Sequence, residues 1–182
     1  NNINKKSASV IAVHQNRMGI VDAASMAMNI IYLFNPKYLV MLGVCGGRNS
    51  EGVKVGDIII PRTIFTYQSG KYSDDGWEPE PMNVDIDASL ISRIQSHADD
   101  IAINIMKNWN GSNKRIPQVW FDCMACGDAV INRRGMIEEQ IASIQRKVVA
   151  VDMESYGMVR ASNLATVGKT VPIVIKGVMD LT

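Results

Sequence analysis

The sequence predicts an α/β protein: a single three-layer α/β/α domain around a mostly parallel central sheet. Three observations carry that prediction. Short apolar runs alternate with segments of helical period, the pattern that builds strand–helix–strand units. Residues 38–42 are apolar without interruption, as in a strand covered on both faces. The β-branched run 147–151 leads straight into Asp152-Met153-Glu154, and a second apolar strand, 171–177, ends just before Asp180. Carboxylates thus stand near the carboxyl ends of two strands, the edge where open α/β sheets bind small ligands.

The elements follow in order. Residues 9–13 read as a strand. Residues 19–34 read as a helix, with Ile20, Ala23, Ala24, Ala27, Ile30, Ile31 and Phe34 on one period. Asn35-Pro36 stops it. The strand 38–42 then pairs in parallel with 9–13 through a right-handed crossover. Gly56-Asp57-Ile58-Ile59-Ile60-Pro61 opens a strand that continues past Pro61 toward Tyr67. Residues 68–83 are rich in Gly, Pro, Ser, Asp and Glu and read as a long loop, a lid or a mobile connection. Residues 86–106 form one helix, with Ile86, Leu90, Ile94, Ala98, Ile101 and Ile105 on one face. A strand over 118–125 and a short helix over 135–144 precede the two acid-bearing units, with a helix running from Asp152 to about Val167.

Composition narrows the function. The 182 residues suit one domain, 1–182, with a sizeable core. A net charge of +1 leaves no basic face for nucleic acid. No apolar run approaches the ~20 residues that span a bilayer, so no membrane partner is expected and the cytoplasm is the expected compartment. Cys45, Cys123 and Cys126 make no disulfide framework. Cys123-Met-Ala-Cys126 is formally a CxxC, either a redox or half-metal site or small residues packing a strand; the only histidines, His14 and His97, are distant in sequence. Asn1 opens the chain without a methionine, and truncation at both ends is the expectation.

Several short stretches carry chemistry. Gly43-Val44-Cys45-Gly46-Gly47 follows a strand; its backbone amides either cradle a ligand or make a tight turn. It is neither a Walker loop nor GxGxxG. Gly127-Asp128-Ala129-Val130-Ile131-Asn132 is an ordinary connection capped by Asp128, or it presents Val130 and Ile131 as the wall of a flat pocket. Asp152 stands where a helix cap is expected. Glu154, in the first helical turn, either answers the helix dipole or accepts hydrogen bonds from a hydroxyl pair. Asp180, after an apolar strand, is either a turn residue or a partly desolvated acid able to donate a proton near neutral pH.

Met18-Gly19, Leu42-Gly43-Val44-Cys45-Gly46-Gly47, Val55-Gly56-Asp57-Ile58-Ile59, Gly127-Asp128-Ala129-Val130-Ile131-Asn132, Ala150-Val151-Asp152-Met153-Glu154 and Lys176-Gly177-Val178-Met179-Asp180 follow one another in an order that resembles the nucleoside phosphorylase superfamily. Within it, the chain is most similar to the 5′-methylthioadenosine/S-adenosylhomocysteine nucleosidases. The resemblance implies cleavage of the N-glycosidic bond of a purine ribonucleoside, without metal or cofactor. It implies that Asp180 donates to purine N7, that Met153 packs on the ribose and that Glu154 binds its hydroxyls. Val130 and Ile131 would wall the base, and Val44, Cys45 and Gly46 would approach the sugar and the nucleophile. Lys176, a further substrate-binding residue by the same resemblance, stands where the family often has arginine, and Met179 where it usually has serine.

Met41 occupies the place of the phosphorylases' phosphate-binding arginine and cannot bind phosphate, which favours water as nucleophile. The family's water-activating acid is supplied by a first strand and loop, a segment expected to lie outside these residues. Arg133 and Arg134 either reach a 5′-phosphate or are solvated charges. A homodimer, with residues 68–83 at the partner's 5′ pocket, is a further implication. A nucleoside-binding regulatory module of a larger protein and a phosphorylase are the alternatives.

Overall fold

The computed structural model describes residues 8–111, 115–131, 133 and 135–181. Its first element is α1 (Ile20–Phe34), which buries Ala23, Ala27 and Ile31 and ends on Asn35 in the left-handed region, φ 43. Strand β1 (Tyr38–Gly47) follows. After a short 3-10 turn come β2 (Ile58–Ile59), β3 (Thr63–Thr66), β4 (Gly70–Ser73), β5 (Gly76–Pro79) and β6 (Asn83–Asp85). Helices α2 (Ala88–Gln95) and α3 (Ala98–Lys107) lead to β7 (Val119–Trp120) and β8 (Cys123–Cys126). A π-helical turn (Ile137–Ile141), α4 (Ala142–Ile144), β9 (Val148–Asp152), α5 (Ser155–Leu164) and β10 (Val171–Leu181) complete the order.

Eight strands form one sheet in the order β6-β3-β8-β9-β1-β10-β2-β7. The pairings β1–β10, β2–β7, β3–β8 and β8–β9 are parallel; β1–β9, β10–β2 and β3–β6 are antiparallel. The run expected as one strand through Pro61 is broken there. Proline cannot donate to a ladder, and β2 and β3 separate around it. Their partners β7 and β8 separate at the same level. Ile60 N–H donates to the Trp120 carbonyl (2.8 Å) and Arg62 N–H to that of Asp122 (3.3 Å), so the two short pairs are halves of one bent ribbon. That ribbon joins the two ends of the strand order, and the sheet curls toward closure.

Helices lie on both faces. Met124 and Ala150 are register partners in the larger apolar cluster, with Ala27, Ile91, Met158 and Val159. Their neighbours Ala125 and Val151 belong to a second cluster with Ile137 and Ile141. Adjacent residues of a strand face opposite ways, so the clusters sit on opposite sides of the sheet. Helix α5 crosses α1 so closely that a Cβ on Gly157 would lie 2.1 Å from the Ile20 carbonyl oxygen. Glycine at 157 therefore fixes where the α5 N-terminus stands.

Several expectations are corrected. Residues 9–13 are not a strand: Val10, Ile11 and Val13 are exposed, and β1 takes β10 rather than that segment as its parallel partner. β1 is covered on one face only. Leu39 and Met41 pack on the core, while Tyr38, Val40, Leu42 (74% exposed) and Val44 face outward. The expected loop 68–83 contains the β4–β5 hairpin, whose Tyr72 and Trp77 rings pack in a tilted pair with centroids 5.0 Å apart. The helix expected over 86–106 breaks at Ser96-His97, each half ending on its own cap. β10 runs to Leu181, so Asp180 is a strand residue and not a turn residue after it.

Candidate active site

The Gly-rich end of β1 lies between the two acid-bearing strands. Gly46 pairs with Val151 of β9 on one side and with Asp180 of β10 on the other. Along β1–β10 the register slips by one between Cys45 and Gly46, so Asp180 stands beside Gly46 instead of beside Gly47. A bulge of this kind re-aims a side chain at a strand end. Asp180 is exposed, and no hydrogen bond or ion pair among the described residues engages its carboxylate. The partial desolvation expected of it is not supplied by the chain itself.

The β9 end is the opposite. Asp152 is 5% exposed and Lys176 3% exposed. Lys176 Nζ lies 2.8 Å from Asp152 Oδ2 and donates to Glu154 Oε2 at 3.0 Å. Burial opposes the lysine's charge, but the Asp152 and Glu154 carboxylates outweigh it and hold its pKa above the ordinary lysine value. The Ser155 backbone N–H donates to Asp152 Oδ2 (3.1 Å) and its hydroxyl to Oδ1 (2.6 Å). Asp152 therefore supplies the capping contact to α5. Glu154 occupies the N-cap position without a capping bond, which leaves its carboxylate to Lys176. Gly43 makes room for this ammonium: a Cβ there would sit 3.2 Å from Nζ.

The other candidates divide. The Gly127 N–H donates to the Asp152 carbonyl (3.1 Å), which ties the start of the 127–131 loop to the end of β9. The Asp128 N–H donates to Gln68 Oε1 (2.7 Å), and Tyr67 Oη to the Ala129 carbonyl (3.4 Å). Within that loop Val130 is exposed and Ile131 half-buried against the second cluster. Asp128 does not cap its own turn; its Oδ1 accepts from the Ile20 N–H (2.8 Å) and caps α1. Met153 is half-buried and Val44 exposed. Cys45 is buried, and burial followed by the Asp152 charge pushes its thiol up to about 12, so it is no nucleophile at neutral pH. Arg133 pairs with Glu139 at the surface; Arg134 and Asn132 lie outside the described residues.

Cys123 and Cys126 sit three apart on β8, roughly 10 Å between Cα atoms at strand rise, too far for a disulfide. No group of three metal-ligating side chains occurs among the described residues. No helix among them is long and apolar enough to cross a membrane.

Sequence reasoning missed two buried polar centres. Asp57 accepts from the Lys54 and Gln118 amides, Trp120 Nε1 and Arg115. Burial alone would raise its pKa, yet these donors hold it below the ordinary value. Arg48, at the end of the Gly-rich strand, grips Glu138 of the π-helical turn and the carbonyls of Arg146 and Val148. A charged residue directly after a Gly-Gly pair was the available signal for Arg48, and an aspartate amid apolar β-branched residues was the signal for Asp57.

The fold has solved counterparts. A 5′-methylthioadenosine/S-adenosylhomocysteine nucleosidase of Neisseria meningitidis, in complex with methylthio-immucillin-A, superposes with a TM-score of 0.67 over 90% of this chain and 64% of its own, at 22% identity. A nucleosidase of the same kind from Colwellia psychrerythraea, in complex with adenine, gives 0.69 over 91% and 63%, at 20% identity. Among sequences, an uncharacterized protein of Sinorhizobium fredii is 30% identical over 96% of this chain and 43% of its own length. A death domain-containing ATP nucleosidase of Amphimedon queenslandica is 24% identical over 92% and 32%. The chain thus spans less than half the length of these two relatives. The sequence profile of the phosphorylase superfamily matches residues 3–180, and the chain belongs to that superfamily.

Proposed function

We propose that this chain carries the site of a purine nucleosidase, which hydrolyses the N-glycosidic bond of an adenine ribonucleoside. The observation that supports it most is that two unlike acids flank the Gly-rich end of β1: Asp180, open to solvent, beside Gly46, and Glu154, held by the buried Lys176 ammonium that lies beside Gly43. Cleavage builds positive charge on the ribose and negative charge on the departing purine. In this reading an ionised Glu154 accepts from the ribose hydroxyls and favours the oxocarbenium character electrostatically. Asp180, desolvated once a purine covers it, donates a proton toward N7; such acid help contributes about 10²–10⁴-fold. Met153 packs on the sugar, Val130 and Ile131 wall the base, and Val44, Cys45 and Gly46 form the floor nearest the glycosidic carbon. Lys176 serves through Glu154. No step calls for a metal or cofactor.

Water is the nucleophile in this reading, because Met41 offers no phosphate contact. The 5′ group is either a thioether, as the names of the solved counterparts indicate, or a phosphate chain, as the name of the Amphimedon relative indicates. Three free cysteines fit a reducing cytoplasm, and the exposed β4–β5 hairpin is the surface offered to a second copy. The full-length protein is incubated with methylthioadenosine, adenosine and ATP, with and without phosphate. Adenine release independent of phosphate is expected. A strict phosphate requirement makes the protein a phosphorylase, and tight binding without turnover makes it a nucleoside sensor.

A further inference from the structure

We propose that Asp152, which has no place in the reaction itself, is a positioning residue that sets the ribose grip of Glu154 through Lys176. This rests on the nucleosidase reading for its substrate and on geometry for its path. Asp152 cannot meet a ligand: it is buried, Oδ1 is taken by the Ser155 hydroxyl and Oδ2 by the Ser155 amide and Lys176 Nζ. Lys176 is the link. It rises from β10 through the space left by Gly43, and its ammonium touches Asp152 at 2.8 Å and Glu154 at 3.0 Å.

A lysine ammonium is a point charge on a flexible stem with no planar fork of its own to set direction. Glu154 has no capping bond that orients it. The fixed member of the chain is Asp152, locked on two sides by the first residue of α5. A flexible cation held at one end by a rigid carboxylate presents the other carboxylate in one place. Without Asp152 the ammonium would be free to centre itself on Glu154, bind both its oxygens and withdraw the acceptors a sugar diol needs.

The test uses the full-length protein and whichever of methylthioadenosine, adenosine and ATP it turns over, with the 3′-deoxy counterpart of that substrate. Asp152→Asn should lower kcat/KM for the ribonucleoside by about 10²-fold, the scale of a misplaced positioning group. It should lower that of the 3′-deoxy compound far less and leave adenine binding unchanged. In a Glu154→Gln background, Asp152→Asn should add almost nothing, because the path runs through Glu154. Equal losses on both substrates, or full additivity with Glu154→Gln, would overturn the proposal.

Should Asp152→Asn fail to fold, Asp152→Asn/Lys176→Met removes the buried pair together and should still lose the discrimination between the two sugars; retained discrimination overturns the proposal equally. Urea unfolding reads the same link without substrate: Asp152→Asn should destabilise the native chain and cost much less once Lys176 is methionine. Coupling in unfolding without turnover of any of the three compounds would sink the nucleosidase reading and leave the positioning chain standing; additive unfolding energies would sink the positioning chain itself.

Discussion

The carboxyl ends of β9 and β10 flank the Gly-rich end of β1, each carrying acids, and they are built in opposite ways. At β9 the chain answers its own acids: Asp152 and Glu154 share one buried ammonium, and Ser155 fills the remaining acceptors of Asp152. At β10 the chain leaves Asp180 exposed, set beside Gly46 by a one-residue slip in the ladder. A buried charge without a partner is expensive, so the β9 group is part of the folded state whether or not a ligand is present. An exposed carboxylate costs little to keep and acquires its environment only when something covers it. One acid is preorganised by folding, and the other is conditioned by binding.

The largest expected effect breaks the comparison on the β10 side. Asp180→Asn should reduce glycosidic cleavage by about 10²–10⁴-fold while moving stability by no more than about 0.5 kcal/mol, as for other exposed positions. Single-turnover kinetics beside urea denaturation reads both. A rate within threefold of wild type removes Asp180 as the acid.

The β9 side breaks in the other currency. Lys176→Met alone leaves two carboxylates facing each other without their cation, and should destabilise the chain by about 3–5 kcal/mol. Lys176→Arg should be much milder, since charge is kept and only the fork geometry changes. Equal destabilisation by both would mean that the space beside Gly43, and not the charge, is the constraint.

Somewhat smaller is Gly157→Ala. A single methyl cannot be seated 2.1 Å from the Ile20 carbonyl, so α5 must shift away from α1, at about 1–3 kcal/mol. Because α5 begins one residue after Glu154, the shift should raise KM for a ribonucleoside while leaving the affinity for free adenine unchanged. Loss of both in equal measure would show that α5 supports the whole site and not the β9 side alone.

What the sequence disclosed follows the same division. Helix α1, the strand 171–177 and the Asp-Met-Glu element were legible because each is a local pattern: a 3.6-residue period, a β-branched run, acids after a strand. The slip at Cys45/Gly46 was not, since register depends on two segments far apart in sequence. The break at Pro61 was written in the chain, but apolar Ile58-Ile59-Ile60 and Phe65 on either side read as one run. The outward face of β1 was missed for a related reason. An uninterrupted apolar run predicts burial on both faces, yet burial is decided by which helices arrive, and α1 and α5 reach only one face of this strand. That the Lys176 ammonium lies against two acids of the chain was not legible, since Asp152 and Glu154 stand far before it in the sequence.

The smallest effect concerns pH. Lys176 is held above its ordinary value in the fold. A raised basic group contributes stability that is complete below its unfolded pKa and is lost as pH climbs through the higher folded one, so this contribution fades only in alkali, above about 10.4. Asp57 and Glu138 are shifted the other way, Glu138 chiefly by its hydrogen bonds to Arg48. Their contribution is complete above the unfolded carboxylate values and is lost as pH falls through the lower folded ones. Acid unfolding followed by circular dichroism should therefore begin below about pH 4 and shift to higher pH in Glu138→Gln, which lacks the ionisable partner of Arg48, only to the extent that the native state is already weakened. Its steepness should fall, because one proton fewer is taken up.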